Sequence, residues 1–299
     1  MLAQRAPGII SIVGAGRVGR TLGRRLRELG WTIGAVVTRS ASTARAAVRS
    51  IGAGRAHAAL TRQIVAADLV LITTPDGEIA GVAAHLGKIG GEEWRGKVAL
   101  HTSGALDSSV LAPLRDRDAA TGSMHPLQTF SGRAAPRLEG CVFALEGTRA
   151  AMRMGDKLVR GFGGIAVRVA SGDKPAYHAA CVLVSGHVLA VVEAATRILM
   201  RVGFTRRQAI RALLPLLRQT IANFERFGPG GAWTGPLSRG DFATVSRNVA
   251  AMRQFPREYR DVYAALARLS ALVLAGKGPA PGDALERALS VAEVEPRGK

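Results

Sequence analysis

The chain has 299 residues, of which 47% are hydrophobic and 21% are charged, a composition typical of a globular protein. Its length favours two domains, each large enough to bury a core. The net charge of +19 would suit a nucleic-acid-binding protein, but the sequence has no run of five basic residues and no interleaved aromatic side chains. Specific nucleic-acid binding is therefore not expected. The charge either reflects composition alone, without functional meaning, or favours a small anionic ligand.

Cysteine usage and hydropathy indicate where the protein works. Cys141 and Cys181 have no neighbours at metal-ligand spacing, so no metal site is predicted, and two cysteines fit a reducing compartment. Residues 1–8 lack the apolar core of a signal peptide. The most apolar stretch, residues 179–192, is shorter than the ~20 residues of a membrane span. We therefore expect a cytoplasmic protein without a membrane segment, in which this stretch is a buried helix.

The first half of the chain alternates strand and helix patterns. Residues 9–13 are a β-branched apolar run that stops at glycine, residues 18–29 have helical periodicity, and residues 32–38 follow as a second strand. Further strand patterns occur at residues 67–73, 97–101, 120–124, 142–145 and 165–169, and helical patterns at residues 41–50, 78–86 and 108–114. This alternation predicts an α/β fold with a doubly wound, mostly parallel Rossmann sheet.

From about residue 175 the pattern becomes helical. Long helices are predicted at residues 175–202, 205–227, 241–252 and 256–275, and no convincing strand pattern occurs among them. The tail after residue 276 is expected to be loosely packed and to end in a short helix. We predict a Rossmann domain over residues 8–170 and an all-helical domain for substrate binding and dimerisation over residues 171–299.

The turn between the first strand and the first helix carries a glycine motif. Its residues are Gly14, Ala15, Gly16, Arg17, Val18 and Gly19. In this position the first glycine permits a tight turn, the second lets the backbone approach a pyrophosphate, and the third lets the helix pack close to the strand. The helix N-terminus adds free N–H groups. The motif predicts a dinucleotide-binding site.

The end of the second strand favours NADP(H) as the cofactor. Thr38, Arg39 and Ser40 follow this strand, where NAD enzymes usually place a carboxylate for the ribose hydroxyls. A guanidinium flanked by hydroxyls suits a 2′-phosphate instead.

Two later strands end at the same sheet edge. Thr74, Pro75 and Asp76 follow one of them, and Ser103 follows the next. Because ligands bind at the carboxyl edge of a parallel sheet, we expect these residues to line the nicotinamide half of the cofactor.

Several longer motifs resemble a bacterial family. Besides the glycine turn, they are His101-Thr102-Ser103-Gly104-Ala105-Leu106, the segment of residues 122–130, Tyr177-His178-Ala179-Ala180 and the segment of residues 234–241. The family joins a Rossmann-like domain to a helical C-terminal domain of unknown function. It is related to the 6-phosphogluconate dehydrogenase, ketopantoate reductase and pyrroline-5-carboxylate reductase group.

The resemblance covers about residues 9–275. It implies an NADP-dependent oxidoreductase that is often dimeric through its helical domain, and it supplies no substrate. Family members often show Ser-Asn where this chain has Ser185-Gly186-His187, so a substrate contact of that asparagine does not carry over.

Hydride transfer to a carbonyl or imine requires a nearby proton donor, and the first long helix offers one. Helical spacing places His178, Cys181 and Ser185 on one stripe, and we expect Cys181 to be a core residue. Lys174 lies at the helix cap, where the following proline disfavours helical geometry. His187 falls on the opposite face and is interpreted as structural. We predict that Lys174 or His178 donates the proton or polarises the substrate; alternatively, His178 is a core histidine bonded to a carbonyl.

Other site residues come from loops. His125 ends a predicted strand and is expected to act in the nicotinamide pocket; alternatively, it orders its loop. Gln128, Ser185, Thr234 and Arg239 are predicted substrate contacts, with a surface position as the alternative for Arg239. The favoured function is that of a reductase or dehydrogenase for a small anionic metabolite. The sequence leaves open a non-catalytic NADP(H)-binding regulator and a reductase that uses a deazaflavin.

Overall fold

The computed structural model describes residues 8–132, 134–275 and 282–290. The chain divides into two compact units, Met1–His187 and Val188–Lys299. The first unit contains the strands β1 (Ile9–Val13), β2 (Thr32–Val37), β3 (Arg55–His57), β4 (Leu69–Ile72), β5 (Val98–His101), β6 (Ala120–Pro126), β7 (Val142–Gly147) and β8 (Ile165–Arg168). They form one sheet in the order β3-β2-β1-β4-β5-β6-β7-β8. All neighbouring strands are parallel except β6 and β7, which confirms the predicted mostly parallel sheet.

Helices cover both faces of this sheet. They are α1 (Arg17–Glu28), α2 (Ala41–Ile51), α3 (Asp76–Gly90), α4 (Ala112–Arg115), α5 (Arg149–Gly161) and α6 (Lys174–Val182). One apolar core includes Leu22 of α1, Ile51 of α2 and Leu158 of α5. A second core, on the opposite face, includes Leu86 of α3 and Leu114 of α4. The strand order reverses direction between β1 and β4, which is where a doubly wound sheet binds its ligand.

One strand was not anticipated from the sequence. β3 has only three residues, of which Arg55 and Ala56 are exposed, so it carries no apolar alternation. It pairs in parallel with β2, and only this backbone pairing identifies it as a strand, because its sequence has no strand pattern.

The first unit extends to His187, beyond the domain boundary expected after residue 170. It includes α6 and the π-helical turn Leu183–His187 that follows it. Lys174 is the first residue of α6 and is helical, with φ −55° and ψ −43°. The expectation that Pro175 would keep Lys174 out of helical geometry is therefore wrong. Hydrogen bonds from the Lys174 ammonium to the sheet outweigh the steric preference.

The described residues of the second unit form helices joined by short connections and contain no strand, as predicted. Its helices are α7 (Val188–Arg201), α8 (Arg206–Ala232), α9 (Phe242–Ala251), α10 (Arg257–Leu274) and α11 (Gly282–Ser290). α8 begins at a capping box formed by Thr205 and Gln208, and it is interrupted at Gly228, where φ is +69°. The core of this unit includes Val249 of α9 and Leu289 of α11. The start of the predicted tail, residues 276–281, lies outside the described residues.

The most apolar helical segment is exposed. It runs from Ser171 to Arg201, has a mean hydropathy of 1.8 in its most apolar window, and only 6% of that window is buried. The interpretation of residues 179–192 as a buried helix is wrong, because most of its side chains are exposed. Val184 is 75% exposed and Leu189 is 69% exposed. By length and composition alone, this segment would be long and apolar enough to cross a membrane.

Candidate active site at the carboxyl edge of the sheet

The turn after β1 requires glycine at two of its three motif positions. Gly14 has a φ of +86°, which favours glycine, and its N–H donates to the carbonyl of Val37 at 2.9 Å. A Cβ on Gly14 would lie 2.6 Å from the backbone nitrogen of Thr74, and one on Gly19 would collide with Oγ1 of Thr73. The tight turn and the close helix–strand packing both have the expected form.

The N-terminus of α1 can receive an anionic group. No side chain caps it within the described chain, its first turn has no acidic residue, and a Cβ on Gly16 would meet only the carbonyl of Gly14, at 3.8 Å. Arg17 is exposed at the start of the helix, whereas Ala15 is buried and Val18 packs against the core. Free N–H groups and the positive end of the helix dipole suit a pyrophosphate.

The loop from β4 to α3 contains an unsatisfied hydroxyl beside this turn. Oγ1 of Thr74 is buried and has no hydrogen-bond partner among the described residues. Such a group costs free energy, so a ligand atom bonded to it would be stabilised there. Pro75 precedes α3, and Asp76 is the exposed first residue of that helix. The residues of the glycine turn and of this loop together fit a dinucleotide.

Hydroxyl groups and Arg39 surround the N-terminus of α2. Arg39 is exposed, and the first turn of α2 has no acidic residue. Ser40 caps the helix by accepting the N–H of Thr43 at 3.3 Å, and the Thr38 hydroxyl lies 2.6 Å from that of Thr43. Ser42 adds another hydroxyl, 3.1 Å from that of Ser40. This acid-free end suits a 2′-phosphate, and it includes Ser42 and Thr43, which the sequence analysis did not single out.

The side chain of Ser103 organises the loop after β5. Its hydroxyl donates to Oδ2 of Asp76 at 2.7 Å, and it accepts the N–H groups of Ala105 at 3.2 Å and Leu106 at 3.0 Å. The hydroxyl predicted to line the cofactor site is therefore already bonded within the protein. It fixes the loop that follows β5 to the start of α3.

Lys174 is turned toward the sheet. Only 1% of this residue is exposed, and Nζ donates to the carbonyl of Ser103 at 2.8 Å and to Oγ of Ser123 at 2.5 Å. Burial lowers the pKa of Lys174 to about 8, although the carboxylates of Glu146 and Asp76 oppose the change. The ammonium therefore fastens α6 to β6 and to the loop after β5.

The buried carboxylate of Glu146 accepts hydrogen bonds from segments next to Lys174. Glu146 accepts the N–H and the hydroxyl of Ser108, each at 2.7 Å, and the hydroxyl of Ser171 at 2.9 Å. These bonds connect β7, the loop after β5 and the approach to α6. Glu146 could not be predicted as a site residue, because nothing in the local sequence pattern distinguishes a buried glutamate from a surface one.

Two histidines pack over Gly104. A Cβ on Gly104 would collide with Nδ1 of His178 and would lie 2.8 Å from Nε2 of His125. The ring centroids of the two histidines are 5.6 Å apart, with the ring planes nearly perpendicular. Nδ1 of His178 is buried and has no hydrogen-bond partner within the described chain. The alternative that His178 is a core histidine bonded to a backbone carbonyl is therefore not supported at this nitrogen.

Tyr177 holds the other ring nitrogen of His125. Its hydroxyl lies 2.7 Å from Nδ1 of His125, and the two rings meet edge to face. Burial, followed by the charge of Lys174 and by His178, lowers the pKa of His125 to about 4. Burial also raises the pKa of Tyr177. The imidazole is therefore neutral and the phenol is protonated near neutral pH.

His101 is a fully buried structural member of the site. Its Nδ1 accepts the N–H of Ser103 at 3.2 Å, so its Nε2 donates to the carbonyl of Asp107 at 3.1 Å. Burial, together with the charge of Lys174, lowers the pKa of His101 to about 4. His101 fixes the backbone that carries Ser103.

The predicted substrate contacts are divided between the two units, Gln128 and Ser185 in the first and Thr234 and Arg239 in the second. The side chain of Gln128 folds onto its own loop, where it donates to the carbonyl of Arg137. Ser185 lies in the π-helical turn and donates to the carbonyl of Cys181 at 2.7 Å, and this turn breaks the helical spacing on which the predicted stripe depended. Thr234 and Arg239 are exposed residues of the second unit.

No group of three His, Cys, Asp or Glu side chains that could hold a metal ion occurs in the described part of the chain.

Comparison with known proteins identifies both halves of the chain. Residues 3–126 match the family described as a Rossmann-like domain, and residues 141–270 match a domain of unknown function, DUF2520. No curated protein sequence matches the chain. These two matches confirm the family resemblance stated from the motifs.

Solved structures share the fold over most of the chain. Protein TM1727 from Thermotoga maritima is 24% identical, with a TM-score of 0.65 over 89% of this chain and 98% of that one. An imine reductase from Streptomyces aurantiacus is 18% identical, with a TM-score of 0.63 over 88% and 95%. A reductive aminase from Aspergillus terreus, in complex with NADPH4, cyclohexanone and allyl amine, is 18% identical, with a TM-score of 0.62 over 95% and 98%.

Proposed function

We propose that this chain, which matches a Rossmann-like domain and a DUF2520 domain, is an NADP-dependent reductase. Its substrate is a small anionic metabolite with a carbonyl or imine group. The observation that carries this proposal is the placement of an acid-free dinucleotide turn and a histidine pair at one edge of one sheet. The relatives with the same fold include an imine reductase and a reductive aminase solved with NADPH4.

The preference for NADP(H) rests on the end of β2. Arg39 and the hydroxyls at the N-terminus of α2 offer a cation and hydrogen-bond donors where an NAD enzyme would present a carboxylate. The unpaired Thr74 hydroxyl would gain a partner from the bound dinucleotide. The nicotinamide, when bound, supplies the hydride for reduction.

The protein's own residues supply the proton and the orientation. We assign proton donation to His178. Its side chain is half-buried, and its buried Nδ1 has no hydrogen-bond partner among the described residues, so a substrate group can bond to it. His125 lies beside it as a second neutral imidazole. Lys174 holds α6 on the sheet and thereby fixes the position of His178.

Thermal shift with NADPH and NADH tests the cofactor assignment. We expect a larger rise in melting temperature with NADPH than with NADH. Arg39→Ala should weaken NADPH binding about 10- to 100-fold, as a hydrogen bond to a charged group is worth roughly 1.5–3 kcal/mol, while NADH binding should change little. A larger shift with NADH in the native protein would overturn the assignment.

A panel of carbonyl and imine metabolites, followed by oxidation of NADPH, tests the reaction. With an identified substrate, His178→Ala should reduce kcat by about 10²- to 10⁴-fold, the usual contribution of a proton donor. His187→Ala, on the exposed turn after α6, is the matched control and should retain activity. Equal activity of both variants would remove His178 from the mechanism.

A non-catalytic NADP(H)-binding regulator is the second candidate. It is favoured by Lys174, whose ammonium is covered and cannot contact a substrate in this structure. Such a protein would show the NADPH-dependent thermal shift without any substrate-dependent oxidation. A deazaflavin-dependent reductase would instead be stabilised by the deazaflavin more than by NADPH.

We also propose that the protein is a cytoplasmic homodimer without specific nucleic-acid or membrane binding. The many exposed apolar side chains of its helices support a second copy as the partner, since apolar side chains exposed in such number are usually covered. The scattered arginines support neither a nucleic-acid groove nor a membrane-surface helix.

A further inference from the structure

We propose that Tyr177 is a positioning residue that holds His125 in the tautomer with its proton on Nε2. The ring edge of His125 that faces Gly104 and His178 then presents an N–H donor. This inference deepens the proposed reductase function and rests on it for its catalytic meaning, but the tautomer itself is a property of the protein alone.

The first support is the geometry of the contact. The Tyr177 hydroxyl lies 2.7 Å from Nδ1 of His125, a normal length for a hydrogen bond. The two rings are nearly perpendicular, with centroids 5.6 Å apart, so the phenol approaches the imidazole along an edge. Tyr177 is in the first half of α6, which Lys174 anchors to the sheet. The Tyr177–His125 contact therefore joins two fixed elements, β6, which carries His125, and α6, which Lys174 anchors.

The second support is the direction of this bond. Either the phenol O–H donates to Nδ1, or an Nδ1–H donates to the phenol oxygen. A phenol O–H is a stronger donor than an imidazole N–H, and a neutral imidazole nitrogen is a stronger acceptor than a phenol oxygen. The phenol proton therefore goes to Nδ1 of His125. With Nδ1 occupied as an acceptor, the single proton of neutral His125 is on Nε2.

The third support is what Nε2 faces. Gly104 lacks a side chain, and both Nε2 of His125 and Nδ1 of His178 approach its Cα within the space that a Cβ would fill. Nδ1 of His178 has no partner in the described chain. A donor on His125 and an unpaired nitrogen on His178 thus lie side by side. A substrate group that both accepts and donates, such as the hydroxyl of an alcohol product, matches this pair.

Histidine ¹⁵N spectra of the full-length protein test the proposal without any substrate. At neutral pH the His125 signals, assigned by their loss in His125→Asn, should show a protonated Nε2 and an unprotonated Nδ1. In Tyr177→Phe the proton should distribute over both nitrogens, and the pKa of His125 should rise, because the neutral ring loses the bond that favours it. Tyr263→Phe, which breaks the bond from Asn248 in the second unit, is the control and should leave His125 unchanged.

A proton on Nδ1 of His125 in the native protein would overturn the proposal, even if Tyr177→Phe failed to fold. An unchanged tautomer and pKa in a folded Tyr177→Phe would overturn it as well. With a substrate identified, Tyr177→Phe should lower kcat roughly tenfold and change KM less. Lack of NADPH oxidation alongside the expected spectra would refute the reductase function and leave the tautomer assignment intact.

Discussion

At the scale of single residues, Gly104 shows how little freedom the site allows. Two imidazole rings occupy the space beside its Cα, so the smallest side chain would displace one of them. The sequence motif around residue 104 singled out this loop, but it could not show why glycine is needed there. The reason is a contact with residues 125 and 178, far away in the chain, and only the fold brings them together.

Gly104→Ala should therefore destabilise the protein by about 1–3 kcal/mol, the usual cost of overpacking. It should also shift the ring signals of His125 and His178. Urea unfolding measures the first effect. Gly77→Ala is the matched control, because a Cβ there meets nothing within 4 Å and the position is helical, where alanine is favourable. A stable Gly104→Ala with unchanged histidine signals would contradict the packing described here.

The buried histidines predict a pH dependence of stability. The pKa values of His101 and His125 are both lowered to about 4, so between pH 4 and about 6.5 the unfolded chain binds more protons than the folded one. The free energy of unfolding should accordingly fall as the pH drops through this range, by on the order of 3 kcal/mol for each histidine. Denaturant unfolding at several pH values should show the decline, and His101→Asn should make it shallower. Identical slopes in the native protein and in the variant would exclude this role for His101.

At the scale of elements, the strands and helices that could be predicted are those with a clear local sequence pattern. β1, α1 and β2 appear where apolar runs, helical periodicity and glycine indicate them. β3 could not be predicted, because its three residues show no apolar alternation. The position of Ser185 could not be predicted either, because it lies in a π-helical turn that no local sequence pattern indicates. The bonds of Lys174 to the sheet are equally invisible, since they join segments about fifty to seventy residues apart.

The N-terminus of α2 permits a prediction for one element. Ser40 accepts the N–H of Thr43 as the helix cap, so Ser40→Ala should lower the free energy of unfolding by about 1 kcal/mol. Ser42→Ala removes a neighbouring hydroxyl that caps no backbone group, and it should cost less. If Ser40→Ala weakens NADPH binding as well, the same hydroxyl serves both the helix and the cofactor. Equal stability of the two variants would contradict the capping role.

At the scale of the whole molecule, the apolar surface is the main departure from expectation. The pattern of residues 175–202 correctly indicated a helical segment, but it could not specify what covers that segment. Leu189 on this helix and Leu272 on α10 are 69% and 80% exposed. The apolar composition of a helix indicates that its surface is usually covered. It does not indicate whether the covering surface belongs to the same chain or to another molecule.

A homodimer predicts a specific outcome for this surface. Leu189→Glu should shift the protein toward the monomer in light scattering after size exclusion, because a charge would be buried at the contact. Arg207→Glu, also on an exposed position of the second unit, is the matched control and should remain dimeric. A monomeric native protein, or one recovered with membranes and released only by detergent, would contradict the proposal.

The covered ammonium of Lys174 makes this side chain a reporter of local opening. Amine-directed acylating reagents need an accessible nitrogen, and Nζ of Lys174 is enclosed by the carbonyl of Ser103 and the hydroxyl of Ser123. Acylation at this position can therefore proceed only while α6 is detached from the sheet. Its rate, compared with that of exposed Lys157, would time how often the helix that carries Tyr177 and His178 opens in solution.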